Sequence, residues 1–456
     1  MKLAILGGGG FRVPLVYGAL LRDTLSPDAR DRRIDSVSLH DPAHDRLAAM
    51  GHVLGQMAAG YPGAPEVTAT AHLDEALSGA DFVFSAIRVG GLAGRTADER
   101  VALDLGLLGQ ETTGPGGLAY GLRTVPVAVH IAERVAAVSP RAWVINFTNP
   151  AGMITEAMQQ VLGDRVVGIC DSPTGLTRRA ARALGYDPER TSPDYVGLNH
   201  LGWLRGLSRD GTDVLPDLIA HDALLGSFEE GRLFGAGWIR SLGAIPNEYL
   251  YYYYFTRDAV ASIKGGAATR GEFLLDQQRG FYDAVAADPR SAYETWQRVR
   301  RERDATYMKE SRNSGDARDV AGERDAADVD GGGYEGVALA IMAAIARNER
   351  STMILNVRNG STVDGLPPEA VVEVPCLVDA GGPHPLTARP LTGHPLGLVQ
   401  QVKAVEQVTI RAARTRSTRL ALEAFALHPL VDSVSTARVL LDGYRRRIPE
   451  VDALFR

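Results

Sequence analysis

The chain has 456 residues, 45% of them hydrophobic and 23% charged, with a formal net charge of -6. That length suffices for two domains with sizeable cores, and the acidic balance speaks against a nucleic-acid surface, which needs a basic patch. No apolar run approaches the roughly 20 residues of a membrane span, the apolar start is too short for a signal peptide, and two cysteines make no disulfide framework; the expectation is a cytoplasmic protein with Cys170 as a free thiol or thiolate.

Residues 2–6 form a short apolar strand that runs into four glycines, and a helix over 14–22 follows with Pro14 in its first turn, where proline is tolerated. A second strand over 36–40 ends at Asp41. Residues 46–57 have helical spacing and 67–71 read as a strand. The stretch 81–87 (D-F-V-F-S-A-I) is nearly continuous in apolar residues, as a strand buried on both faces should be. A helix over 125–138 with Pro126 in its first turn, a strand over 142–147, a helix over 154–162 and a strand over 166–169 complete the series. This alternation predicts an α/β fold: a Rossmann-like, doubly wound parallel sheet over 1–195. Beyond 195 the rhythm breaks. Strands over 196–198 and 203–208, with an Asp210–Gly211 turn, precede helical stretches over 271–286, 291–309, 336–347 and 398–426. Residues 314–333, acidic and glycine-rich, read as a mobile surface loop. The expectation for 196–456 is an α+β domain that binds substrate and assembles the chain into a homodimer or homotetramer.

L-G-G-G-G-F-R, after a strand and before a helix, is the right context for a dinucleotide: Gly7, Gly8, Gly9 and Gly10 let the backbone approach a pyrophosphate, with Phe11 and Arg12 completing the turn. The fingerprint is incomplete, because Arg12 stands at its third glycine position. Asp41 sits where an acid bonds the ribose hydroxyls, which favours NAD over NADP, but it lies 34 residues after Gly7, against about 20 in the usual spacing. The alternative is a glycine-rich turn that binds no nucleotide.

Cys170 falls at the carboxyl end of a parallel strand, the edge where such sheets bind ligands. His200 comes thirty residues later, between two short strands. A thiolate and an imidazole suit a divalent first-row metal, and two ligands leave positions open for substrate. A buried core thiol and a satisfied core histidine are the alternatives.

Other stretches keep this company: I-R-V-G-G at 87–91, Q-E-T-T-G-P-G-G at 110–117, I-N-F-T-N-P-A-G at 145–152, C-D-S-P at 170–173 and N-H-L-G-W at 199–203. Y-E-G-V at 334–337, L-N-V-R-N-G-S at 355–361 and V-V-E-V-P-C at 371–376 follow. In this order the set closely resembles glycoside hydrolase family 4, the NAD- and metal-dependent glycosidases, and within it most the 6-phospho-β-glucosidase branch. The resemblance implies NAD and Mn2+ or another divalent metal, with a phosphorylated glucoside or disaccharide as substrate. Its scheme departs from two-carboxylate hydrolysis: oxidation at C3 of the sugar, loss of the C2 proton, elimination at C1, addition of water and return of the hydride. It implies Cys170 and His200 as metal ligands, Asp171 beside the leaving group, and a tyrosine base. The pattern I-P-N-E-Y points to Tyr249, with Tyr253 second in a run of five tyrosines. Arg88 and Arg270 take the family's substrate-binding positions, and Asn149 and Glu111 those facing sugar hydroxyls. Cys376 reads as a core residue. One departure concerns the anomer: after the cysteine the β branch usually carries Asn and the α branch Asp followed by Met-Pro, whereas this chain has C-D-S-P. Competing readings are an α-glycosidase or an unphosphorylated-sugar glycosidase of the same family, an NAD-dependent 2-hydroxyacid dehydrogenase suggested by N-F-T-N-P, and a non-catalytic NAD sensor.

Overall fold

The structure, a computed structural model, describes residues 1–25, 32–305 and 333–456; the acidic, glycine-rich stretch expected as a loop lies outside them but for Gly333. Six parallel strands form the first half of the sheet: β1 (Lys2–Leu6), β2 (Ser36–His40), β3 (Glu66–Thr70), β4 (Phe82–Ser85), β5 (Trp143–Asn146) and β6 (Val166–Gly168). They stand side by side as β6-β5-β4-β1-β2-β3. All four residues of β4 are buried, as its unbroken apolar run requires when helices cover both faces. Strand order reverses between β1 and β4, and at such a switch point the loops leaving the carboxyl ends diverge and open a crevice.

The sheet does not stop at β6. β11 (Ser351–Arg358), β12 (Val371–Asp379), β7 (Ser192–Leu198), β8 (Leu201–Arg209) and β10 (Ile245–Pro246) continue it in that order, each antiparallel to its neighbour. β9 (Thr212–Asp213) adds to β8 and β13 (Gly382–Pro385) to β12. The expected division at residue 195 falls inside β7. Two joints in this run are narrow. β6 meets β11 through the single pair Gly168 and Asn356, and β12 meets β7 through Glu373 and Gly197. Both glycines are forced by space: a Cβ on Gly168 would lie 2.4 Å from Thr155 Oγ1, and one on Gly197 2.1 Å from the Leu201 carbonyl oxygen.

Helices cover the two faces with separate apolar cores. One core includes Tyr17, Met50, Trp203 and Phe281; the other includes Val125, Ile154, Phe425 and Tyr444. The second contains helices from both ends of the chain, so the C-terminal helices Gly393–Thr415 and Thr418–Leu427 pack on Pro115–Val138 beneath the parallel strands.

Two expectations are corrected. The helix predicted over 125–138 begins ten residues earlier, at Pro115, and Pro126 lies in its interior. Gly116 and Gly117 disguise the start, and both pack too closely on the preceding loop for a side chain, a Cβ falling 2.3 Å and 2.5 Å from the carbonyl oxygens of Gln110 and Thr112. The helix predicted over 398–426 is two helices. Arg416 takes the left-handed conformation at φ 52, and Ser417 caps the second helix through Leu420 N. The tyrosine run is helical, a 3-10 turn Glu248–Leu250 leading into Tyr251–Tyr254. Among the described residues no helix is long and apolar enough to cross a membrane.

Candidate active site

A cleft opens where β1, β4, β5 and β6 end. Its wall takes Gly7 from behind β1, Arg88 from behind β4, Asn149 from behind β5, Cys170 and Asp171 from behind β6, His200 from the β7–β8 turn, and Tyr249 from the turn after β10. The glycine loop forms one end. Gly7, at φ 81, and Gly8 both donate backbone N–H groups to the His40 carbonyl, at 2.9 and 2.8 Å. A Cβ on Gly8 would sit 2.7 Å from Leu39 Cβ, so the loop lies flat on the end of β2. Three aromatic donors from the second half of the chain bolt its other side: Tyr282 OH to the Gly9 carbonyl at 2.6 Å, Trp296 Nε1 to that of Phe11 at 2.9 Å and Tyr334 OH to that of Arg12 at 3.1 Å. The helix Val13–Asp23 starts directly after, its positive end at the loop. A flat glycine cradle before a helix start suits a pyrophosphate. Gly7, Gly10, Phe11 and Arg12 face the cleft; Gly8, Gly9 and Asp41 do not line it. Asp41 braces the loop, accepting from Gly9 N at 3.2 Å and Ala43 N at 2.9 Å.

The opposite wall is cationic. Arg88 pairs with Glu111, and Arg95 reaches both Glu111 at 2.7 Å and Glu99 at 3.0 Å. Burial opposes ionisation of Glu111, but Arg88 and Arg95 outweigh it and hold the carboxyl group at about 2, so it stays charged. Arg270 opens the helix Arg270–Ala287, which carries a capping box of Thr269 and Glu272, and it donates to the Arg303 carbonyl at 3.0 Å. Burial, then Arg12, Arg270 and Arg95, push the Arg303 guanidinium well below its usual pKa. Such a concentration of positive charge favours an anionic ligand.

Between these walls lie the thiol, the imidazole and the phenol. Burial, then Glu373 and Asp171, drive the Cys170 thiol pKa well up. Burial lowers His200 to about 4, which keeps the imidazole neutral at ordinary pH and its lone pair available to a metal. His200 holds a positive φ of 62 in the β7–β8 turn, an uncommon conformation for a residue with a side chain. Its ring stacks on Tyr249 at 3.7 Å and 12°. The Asn247 side chain accepts from Tyr249 N at 3.1 Å and fixes the tyrosine turn, while Ser172 donates to Glu248 at 3.0 Å and ties that turn to C-D-S-P. Asn149 Oδ1 is buried without a hydrogen-bond partner, an acceptor left for something else to satisfy. Among the described residues no group of three His, Cys, Asp or Glu forms a closed metal site; Cys170 and His200 fit an open one. Tyr253 lies off this wall, in a separate small cavity with Glu406 and His428. Cys376 is fully buried in the core.

Two models of known families cover nearly the whole chain: family 4 glycosyl hydrolase matches residues 2–186, and the family 4 glycosyl hydrolase C-terminal domain matches 195–431. The chain belongs to glycosyl hydrolase family 4. A probable 6-phospho-beta-glucosidase of Bacillus subtilis is 31% identical, over 97% of this chain and 95% of its own. The 6-phospho-beta glucosidase of Thermotoga maritima, solved with manganese, NAD+ and glucose-6-phosphate, is 26% identical, with a TM-score of 0.79 over 98% of both chains. A 6-phospho-alpha-glucosidase from gut microorganisms, solved with NAD and Mn2+, is 25% identical, with a TM-score of 0.78 over 98% of this chain and 97% of that one. Family 4 relatives of this chain thus carry both anomers' names. Family membership also sets aside the 2-hydroxyacid dehydrogenase reading.

Sequence reasoning missed several residues on this family 4 cleft. Arg95 sits mid-helix in Gly91–Asp104, and its only signal was Glu99 one turn on. Arg303 is the next-to-last residue of the charged run R-V-R-R-E-R-D, which reads as a solvated face. Asn199, on the wall beside His200, stood within the motif N-H-L-G-W but was passed over for its neighbour.

Proposed function

We propose that this family 4 chain is a 6-phospho-β-glucosidase that needs NAD+ and a divalent metal such as Mn2+. What supports the reading above all is the convergence of Cys170, His200 and Tyr249, from three separate segments, on the cleft that also holds the glycine loop. Bound NAD+ would supply reversible hydride transfer at C3 of the sugar, and a metal would stabilise negative charge on the sugar oxygens. The residues do the rest. Gly7, Gly10, Phe11 and Arg12 seat the dinucleotide, and Asp41 holds the loop in shape. Cys170 and His200 hold the metal. Arg88 and Arg270, with Arg95 and Arg303, bind the substrate phosphate, and Asn149 and Glu111 orient sugar hydroxyls. The Tyr249 hydroxyl oxygen takes the C2 proton; a phenol of pKa about 10 does so at neutral pH only beside a cation. Asp171 donates a proton to the leaving oxygen at C1. Residues 1–195 thus supply the dinucleotide site and 196–456 the base and a share of the phosphate site, the latter half also serving self-association as a homodimer or homotetramer.

The β assignment rests on I-R-V-G-G, Q-E-T-T-G-P-G-G and the similarity to the Bacillus subtilis relative. The phospho-α reading is favoured by one feature, an aspartate at 171 on the cleft wall. Hydrolysis of nitrophenyl α- and β-glucoside 6-phosphates and their unphosphorylated forms, with NAD+ and Mn2+ present, decides among them. The β-phosphate is expected to turn over fastest, without net NADH. Preference for the α-phosphate would reassign the anomer, and stoichiometric NADH would overturn the hydrolase reading.

A further inference from the structure

Beneath the cleft lies a carboxyl group that this chemistry leaves idle. Glu373, on β12, is fully buried, and its hydrogen-bond donors are all neutral. Asn356 Nδ2 donates to its Oε1 at 2.9 Å, Asn199 Nδ2 to the same oxygen at 3.2 Å, and Tyr195 OH to Oε2 at 3.1 Å. A carboxyl group buried without a cation is costly, so its retention asks for a reason.

Each donor leads to a different side chain of the cleft. Asn199 immediately precedes His200 in the β7–β8 turn. The Tyr195 hydroxyl lies 2.4 Å from where a Cβ on Gly202 would stand, and the Gly202 carbonyl accepts from Asn247 N at 2.9 Å, at the start of the Tyr249 turn. Asn356 is the residue of β11 that pairs with Gly168, two residues before Cys170. Glu373 itself pairs with Gly197, three residues before His200. One carboxyl group therefore touches the roots of all three segments, at the narrow joints where the backbone ladder contributes one pair each.

We propose that Glu373 is a positioning residue that sets His200, Tyr249 and Cys170 in mutual register. The metal part of this inference rests on the proposed ligand role of Cys170 and His200. The geometric part does not, since the His200–Tyr249 stack is formed by the chain alone.

Four variants test it: Asn199→Ala, Tyr195→Phe, Glu373→Gln and Glu373→Ala. Mn2+ affinity is read by calorimetry, alongside Tm, NAD+ affinity, kcat and a metal-free crystal structure. Asn199→Ala is expected to weaken Mn2+ binding roughly tenfold or more, as outer-shell losses do, at unchanged NAD+ affinity and near-unchanged Tm. Tyr195→Phe is expected to lower kcat while Mn2+ affinity holds. Glu373→Gln, which still offers an oxygen to both amides, is expected to keep the stack and bind Mn2+ within a few-fold of the unaltered protein. Glu373→Ala is expected to lose the stack and both functions; should it fail to fold, Asn199→Ala and Tyr195→Phe decide. A folded Glu373→Ala with the 3.7 Å stack intact and unaltered Mn2+ affinity, or a low Tm as its sole defect, overturns the proposal and leaves Glu373 a bolt between sheet halves. Cys170→Ser separates the two readings. If it binds Mn2+ as tightly as the unaltered protein, the ligand assignment is wrong, and the stack alone judges Glu373.

Discussion

Tyr249 is held by the Asn247 cap at its backbone and by the His200 ring on its face. Both contacts survive replacement of the ring by phenylalanine. Tyr249→Phe is therefore expected to fold normally, bind NAD+ and Mn2+ as before, and lose about 10²–10⁴-fold in kcat, the range for a positioned general base. It should also stop uptake of solvent deuterium at C2 of the product, which mass spectrometry reads directly. Asp171 makes a different prediction. Asp171→Asn should slow substrates with poor leaving groups far more than nitrophenyl ones, because a nitrophenolate departs without a proton; equal losses in kcat/KM on both would show that Asp171 only orients its neighbours. At this scale the sequence was informative where a residue sat inside a short motif at a strand end, as Cys170, His200, Arg88 and Asn149 do. It was silent on Arg303, because nothing local distinguishes an arginine aimed into a cleft from one in water. It showed Asp41 at the end of β2 but gave no sign of the bonds its carboxylate accepts from Gly9 N and Ala43 N.

Elements matter here as mounts. The helix Arg270–Ala287 presents Arg270 from its first turn, and that turn is fixed by its capping box, by Arg100 on Glu272 at 2.7 Å and by Glu99 on Gly271 N at 2.8 Å. Thr269→Ala removes the cap oxygen and is expected to cost about 1 kcal/mol of stability. Because the mount of a phosphate ligand loosens, KM for the phosphorylated substrate should rise while KM for an unphosphorylated one does not, as parallel kinetics would check. The element boundaries show what sequence periodicity can and cannot reveal. The strand buried on both faces stood out as β4, since apolar residues there have no exposed face to interrupt them. The start of Pro115–Val138 did not, because its first turn is P-G-G, a breaker pattern overruled by tertiary packing against Gln110 and Thr112. The division of Gly393–Thr415 from Thr418–Leu427 rests on the backbone of Arg416, a residue that gives no turn signal.

Across the whole molecule, one sheet crosses both halves and two cores run along its faces, so the halves have no independent interior. The cleft is built from residues 7 to 304 and closes over that shared sheet. NAD+ at about 100 times its Kd should therefore stabilise the chain by about 2.7 kcal/mol and move a single calorimetric transition upward. Two transitions, of which NAD+ shifts only the first, would mean that the halves unfold separately. The parallel order of β1 to β6 was legible from the alternation of segments. Its antiparallel continuation was not, because β11 and β12 lie more than 150 residues further along than β6 and their pairing depends on contacts that no local pattern records.

The joint between β6 and β11 also bears on how the chain is made. Until Ser351–Arg358 has left the ribosome, Val166–Gly168 has a neighbour on one side only, and its other backbone groups form an open edge of the kind that recruits foreign strands. The nascent first half thus spends the synthesis of nearly two hundred further residues with a sticky flank. Expressed by itself, residues 1–190 should accumulate in inclusion bodies, and a separately supplied fragment carrying β11 and β12 should bring part of it into solution.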